Sequence, residues 1–219
     1  LANIKRKNVP NEVLARMAQV TKEQGGQSEA ELILCLEGDN KKAHFQTVKD
    51  MLDSCFSFVR MYQFMMLPGT KSASQEHRDK YGFRTRFRVL PRCFGKYRFQ
   101  NEHFFCAEIE EIVTGNNTMT HEEYLDCRAL HLTVETFHND SIFLDLAQFL
   151  GRQGIKRSEF IEAIRDRVFT DAPGIQKLYE GFRKEEQKNT WESYDMLDAF
   201  LRQDGCIDKY IFLLRRSQW

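Results

Sequence analysis

Apolar positions open in helical period. Val13, Leu14, Met17 and Val20 recur at three- and four-residue spacing within residues 8–25, with Asn8 as candidate cap, Pro10 and Glu12 in the first turn and Gly25–Gly26 as the stop. The period then collapses into a short apolar run, Leu32 to Leu36, the pattern of a strand covered on both faces. Gly38 and Asp39 turn the chain, and helical period returns from Asn40 to Cys55 through Phe45, Val48, Met51 and Leu52, with Asp39 or Asn40 placed to cap it. A second apolar run, Phe56 to Leu67, stops at Pro68–Gly69. Two parallel strands joined by a helix make a βαβ unit, and the order α, β, α, β predicts part of a parallel sheet or barrel. Two strands alone cannot enclose a core.

Residues 71–100 carry a different pattern. Arg84, Arg86, Arg88, Arg92, Lys96 and Arg98 interleave with Phe83, Phe87, Phe94, Tyr97 and Phe99, and the alternation over 84–90 predicts a strand with one wet face. Two roles stay open for it: a strand and loop with solvated arginines, or a stacking platform for single-stranded nucleic acid. From about residue 105 the pattern reads as helical throughout. Thr120 and Glu123 form a capping box for a helix through Tyr124, Leu130, Leu132 and Val134. Further helices are predicted over Ile142–Leu150, over Ser158–Val168 with Ser158 as cap, from Pro173, and from Thr190 or Glu192; Cys206–Arg216 reads as helix or strand. The charged stretch 180–191 reads as an exposed helix end or a hinge.

Composition narrows the function classes. The 219 residues, 42% hydrophobic, suffice for one good core or two small ones. Thirty-two basic residues balance thirty-two acidic ones, so no global field favours nucleic acid or an anionic membrane. No apolar run reaches the roughly 18–20 residues of a membrane span, and a cytoplasmic protein is expected. The six cysteines are scattered without a CxxC, which predicts reduced thiols. Cys93, between Pro91 and Gly95 with basic neighbours, is a candidate reactive thiol. Cys127 and His131 stand at i and i+4, with His121 and His138 nearby, and form a candidate metal pair that lacks a completing ligand. A bundle stripe packing on the barrel or on a partner accounts for more of these positions.

Four stretches together carry a family resemblance: NIKRKN at 3–8, GGQSEAELILCLEGDNKKAHF at 25–45, RMYQFMMLPGT at 60–70 and KYGFRTRFRVLPRCFG at 80–95. They resemble the later part of radical S-adenosylmethionine (radical SAM) enzymes, nearest the cobalamin-binding branch. The resemblance covers residues 1 to about 100 and is loose beyond. It implies an α/β fold: the last strands and helices of a partial (βα)6 barrel, followed by a mostly α-helical C-terminal region. The expected segments are 1–70 (barrel), 71–104 (basic and aromatic closure) and 105–219 (helical accessory region).

For the full-length protein the resemblance implies S-adenosylmethionine and a [4Fe–4S] cluster, and it leaves cobalamin open. No cofactor is expected to be held tightly by this chain, because it contains neither the CxxxCxxC triplet nor a DxHxxG motif. The triplet is expected before Leu1, on a missing N-terminal barrel half that would be the chief partner. The resemblance places Ile33 and Leu34 beside the adenine, and Gln63 and Phe64 at the same barrel mouth. It pairs Lys5 and Arg6 with a carboxylate of cofactor or substrate; a solvated surface pair is the alternative. Cys35, Glu37 and Asn40 depart from the family's glycine, proline and threonine. The implied activity is hydrogen abstraction by an adenosyl radical, absent from the isolated chain; the alternative is a non-catalytic helical interaction module with a diverged α/β segment.

Overall fold

The structure, a computed structural model, describes residues 9–139 and 141–215. The NIKRKN stretch, with Lys5, Arg6 and the candidate cap Asn8, lies outside the described residues. In chain order the elements are α1 (Asn11–Glu23), β1 (Glu29–Leu34), α2 (Lys41–Asp53), β2 (Phe58–Gln63), α3 (Gln75–Tyr81), β3 (Arg84–Phe99) and β4 (Glu102–Gly115). There follow α4 (His121–Val134), a π-helical turn (Glu135–Asn139), α5 (Leu144–Arg152), α6 (Arg157–Asp171), α7 (Pro173–Lys188), α8 (Tyr194–Leu201) and α9 (Cys206–Arg215). The fold is mixed α/β with two two-stranded sheets, and the described residues form no closed barrel. Among the described residues two compact units result, one running to Phe64 and taking in Gly115–Glu185, the other Met65–Thr114 with the residues from Glu186 onward.

The first unit is built on the predicted βαβ order. β1 and β2 pair in parallel, from Glu29↔Phe58 to Leu34↔Gln63. The strand begins at Glu29 rather than Leu32, and only one face is covered. Ala30 and Leu34 on β1, with Val59 and Gln63 on β2, are buried. The opposite face carries Glu29, Glu31 and Ile33 beside Phe58, Arg60 and Tyr62, because successive side chains alternate across a strand. The covered face packs on Ala18 of α1, Val48, Met51 and Leu52 of α2, Leu130 and Val134 of α4 and Ile161 of α6. Each fully buried aliphatic side chain there contributes on the order of 1.5–3 kcal/mol.

The two edges of this sheet differ. At β2 the side chain of Asn139 acts as a miniature strand: its Oδ1 accepts the Val59 N–H at 2.9 Å and its Nδ2 donates to the Val59 carbonyl at 3.0 Å. Glu135 holds that amide from the preceding turn at 2.6 Å. The outer edge of β1 has no strand neighbour among the described residues. On α1, Leu14 packs on the core while Val13, Met17 and Val20 are 45%, 60% and 43% exposed, so the predicted stripe is only partly covered.

Capping chemistry fixes the helix starts. Thr120 and Glu123 form the predicted capping box, Asn40 Oδ1 accepts the Ala43 N–H at 3.0 Å, and Ser193 caps α8. The α6 cap is Lys156 rather than Ser158; Ser158 is drawn inward by Asp53, which accepts its N–H at 3.0 Å and its hydroxyl at 2.7 Å. Tyr179 of α7, fully buried, meets the Thr133 hydroxyl at 2.8 Å.

The second unit departs from the helical expectation over residues 105–115. β3 and β4 form a long hairpin around Gln100–Asn101, a connection too short for parallel strands. Residues 105–115, expected as helix, belong to strand β4. Their Glu110 and Glu111 are held by arginines of the same unit, Arg88 to Glu110 at 2.5 Å and Arg78 to Glu111 through two bonds of 2.6 and 2.7 Å. Val89, Phe94, Leu197, Leu201 and Ile207 make its core, and Phe87 exchanges both backbone bonds with Trp191.

Candidate functional site at the strand carboxyl ends

Chain direction places the carboxyl ends of β1 and β2 side by side, where parallel α/β folds put their chemistry. β1 leaves through Cys35, whose φ of +71° lies in the left-handed region that favours glycine. Cys35 is fully buried, and its Sγ lies 3.4 Å from Met119 Sδ. Asp39 organises the turn that follows: Oδ2 accepts the Cys35 N–H at 3.1 Å and Oδ1 the Asn40 N–H at 2.9 Å. Gly38, φ +77°, supplies the reversal. The turn is pinned from 80 residues away, by Asn116 Nδ2 donating to the carbonyls of Leu36 at 3.2 Å and Asp39 at 3.3 Å, and by Thr118 Oγ1 at 2.7 Å from the Asp39 carbonyl.

A buried polar chain runs inward from this turn. Asp39 Oδ2 lies 3.6 Å from His44 Nδ1, His44 Nε2 lies 2.8 Å from His131 Nε2, and His131 Nδ1 lies 3.2 Å from Arg128. A guanidinium only donates, so His131 Nδ1 accepts and its Nε2 carries the proton. That proton goes to His44 Nε2, which leaves the His44 N–H facing Asp39. Burial, then Arg128 and His44, hold His131 well below the usual imidazole range and therefore neutral.

The four residues expected at the mouth divide between two faces. Ile33 stands on the open face, 37% exposed, register partner of Tyr62 at 46%. Leu34 is fully buried on the helix-covered face, so only its backbone borders the mouth; its carbonyl accepts the Phe64 N–H at 3.1 Å. Gln63 is buried on that same covered face and Phe64 is half-buried. Tyr62 was not singled out, although its parity with Ile33 signals it. Its hydroxyl is pushed up by desolvation and by Glu31 and Glu29, while Arg60 pairs with Glu29 at 3.0 Å. In the sequence Asp39 reads as a turn residue and candidate cap; Asn116 and Thr118 were missed because their partners, the Leu36 and Asp39 carbonyls, are remote in sequence.

Other candidates resolve differently. Both ring nitrogens of His131 are engaged, and burial pushes the Cys127 thiol up, so this pair is not disposed to bind a metal. Among the described residues no three His, Cys, Asp or Glu side chains converge as a metal site. Cys93 is half-buried, and no His neighbours it in sequence. In the basic segment Arg86 lies 3.5 Å from Glu192, Arg88 pairs with Glu110 and Lys96 with Asp208. No helix of the described residues is long and apolar enough to cross a membrane.

No protein-family model matches the chain. No curated protein matches it by sequence either.

Proposed function

We propose that this chain forms the closing wall of a radical SAM enzyme's partial (βα)6 barrel, with β2 as the last strand. The observation that carries this is the inequality of the sheet edges: β2 is sealed at Val59 by Asn139, whereas β1 keeps an edge onto which a further parallel strand can add. The exposed Val13, Met17 and Val20 of α1 offer apolar surface for an added helix. The conformation of Cys35 supports the same reading, since the resemblance puts a glycine there and the backbone adopts a glycine-favouring φ.

In this role the mouth offers the adenosyl group of S-adenosylmethionine the Ile33 and Tyr62 side chains and the backbone at Leu34–Cys35. The described residues do not fit an iron–sulfur cluster: Cys35 and Cys127 are buried and no thiolate triplet converges. The radical-generating half would therefore come from elsewhere, and no residue here is assigned to cobalamin.

The coding sequence upstream of Leu1 tests the proposal. A CxxxCxxC within about 200 residues, and adenosyl-radical products from S-adenosylmethionine after anaerobic reconstitution of the extended protein, are expected. An upstream sequence without that triplet overturns it. A second reading, a helical interaction module, is favoured by Ile142, Leu146 and Phe149, exposed at 73%, 46% and 51% along and before α5. Retention of a specific partner by the extended protein, with no cluster absorbance, is the outcome it expects.

A further inference from the structure

At the opposite, amino end of β2 the first unit contains a cavity of about 950 Å³. Its charged lining is one-sided: Lys22, Arg152, Lys156 and Arg157 face a single carboxylate, Asp53. Asp53 is already engaged, accepting both the N–H and the hydroxyl of Ser158. None of the four cations forms an ion pair among the described residues. Elsewhere in this unit comparable cations are neutralised: Lys41 and Arg183 bind Asp126, and Lys49 binds Glu162.

Arg157 marks the deep side of the cation group. Its guanidinium is half-buried, and desolvation lowers its pKa without an opposing carboxylate. His138 lines the same cavity beside the Phe56 backbone. Leu144 and Ile155, 43% and 39% exposed, and the half-buried Phe58 give the rest of the wall an apolar character. The volume falls in the range of small-molecule sites, roughly 300–1,000 Å³, far larger than an inorganic anion requires.

We propose that this cavity is a binding site for an organic phosphate of nucleotide size, its phosphate held by Arg157 with Arg152, Lys156 and Lys22, and its body lying on Phe58, Leu144 and Ile155. A guanidinium is suited to phosphate because its planar fork meets two oxygens at once. The site stands at the end of the sheet remote from the S-adenosylmethionine reading and does not depend on it.

Calorimetric titration of the chain with AMP, UMP and ADP, against adenosine and inorganic phosphate, tests the site. At least one nucleotide is expected to bind ten-fold or more tightly than either control, with affinity falling as salt rises. Arg157→Gln weakens it at least ten-fold while the melting curve is kept. Gly151, a cavity-lining residue with open space where a Cβ would stand, provides a second variant: Gly151→Leu blocks the nucleotide without disturbing the fold. S-adenosylmethionine, which carries no phosphate, does not compete. Absence of binding by all three nucleotides, equal binding of adenosine, equal binding of inorganic phosphate, or full affinity in both folded variants overturns the proposal.

Discussion

His44 and His131 face each other Nε2 to Nε2 at 2.8 Å, and one proton is shared between two buried rings. A second proton on this pair has no acceptor, because Arg128 occupies the far nitrogen of His131. The unfolded chain takes up that proton near pH 6.5, whereas the folded chain does so only at a lower pH.

Stability therefore falls as pH drops through about 6.5. His138, pushed down to about 4 chiefly by burial and then by Arg157, adds a loss that completes near that lower value. Urea midpoints at pH 7.5, 6.5, 5.5 and 4.5 should decrease in that order. His131→Leu should cost about 1–3 kcal/mol at pH 7.5 by leaving His44 Nε2 unmet, and it should flatten the pH slope. A midpoint that rises on acidification would contradict the neutral assignment.

Asn139 closes the edge of β2 through two hydrogen bonds with Val59, and a third, to Glu135, holds its amide in place. Asn139→Ala should cost about 3 kcal/mol, since the Val59 N–H and carbonyl are left buried without partners. Asn139→Asp should be worse still, because it replaces the donor to Val59 and Glu135 by a carboxylate. Denaturant unfolding, with hydrogen exchange at the Val59 amide, reads both; equal stability of all three proteins would remove the edge-sealing role.

Backbone conformation at Cys35 reverses the usual order of small residues. Glycine is ordinarily less stable than alanine by roughly 0.5–1 kcal/mol within regular structure. At φ +71° the order should invert, Cys35→Gly exceeding Cys35→Ala by about 1 kcal/mol. Thermal melts of the two variants decide it, and an alanine variant of equal or greater stability would count against a left-handed residue there.

Asn116 ties down the turn after β1. Asn116→Ala should leave the βαβ core folded but speed amide exchange at Cys35 and Asn40, whose N–H groups depend on Asp39 being held. Unchanged exchange at these two amides would show that Asp39 holds the turn alone.

Local signals in the sequence carried the parts that depend on neighbours. The βαβ order, the Thr120–Glu123 box and the start of α7 follow from period, capping and proline chemistry acting over a few residues. The strand at 102–115 did not show, because Glu110 and Glu111 interrupt its apolar positions and are tolerated only through Arg88 and Arg78. Ser158 looked like a cap, yet Asp53, 105 residues earlier, claims it. At the strand ends, the turn at Gly38–Asp39 was legible from its own residues, whereas the Asn116 and Thr118 anchors depend on a tertiary approach that no local pattern encodes.

The seal on β2 also sets a clock. Val59 and Asn139 lie 80 residues apart, so a chain growing at about 5–20 residues per second carries both sheet edges open for roughly 4–16 s. During that interval the nascent βαβ unit is receptive to strand pairing on either side, and the π-helical turn ends the choice when it emerges.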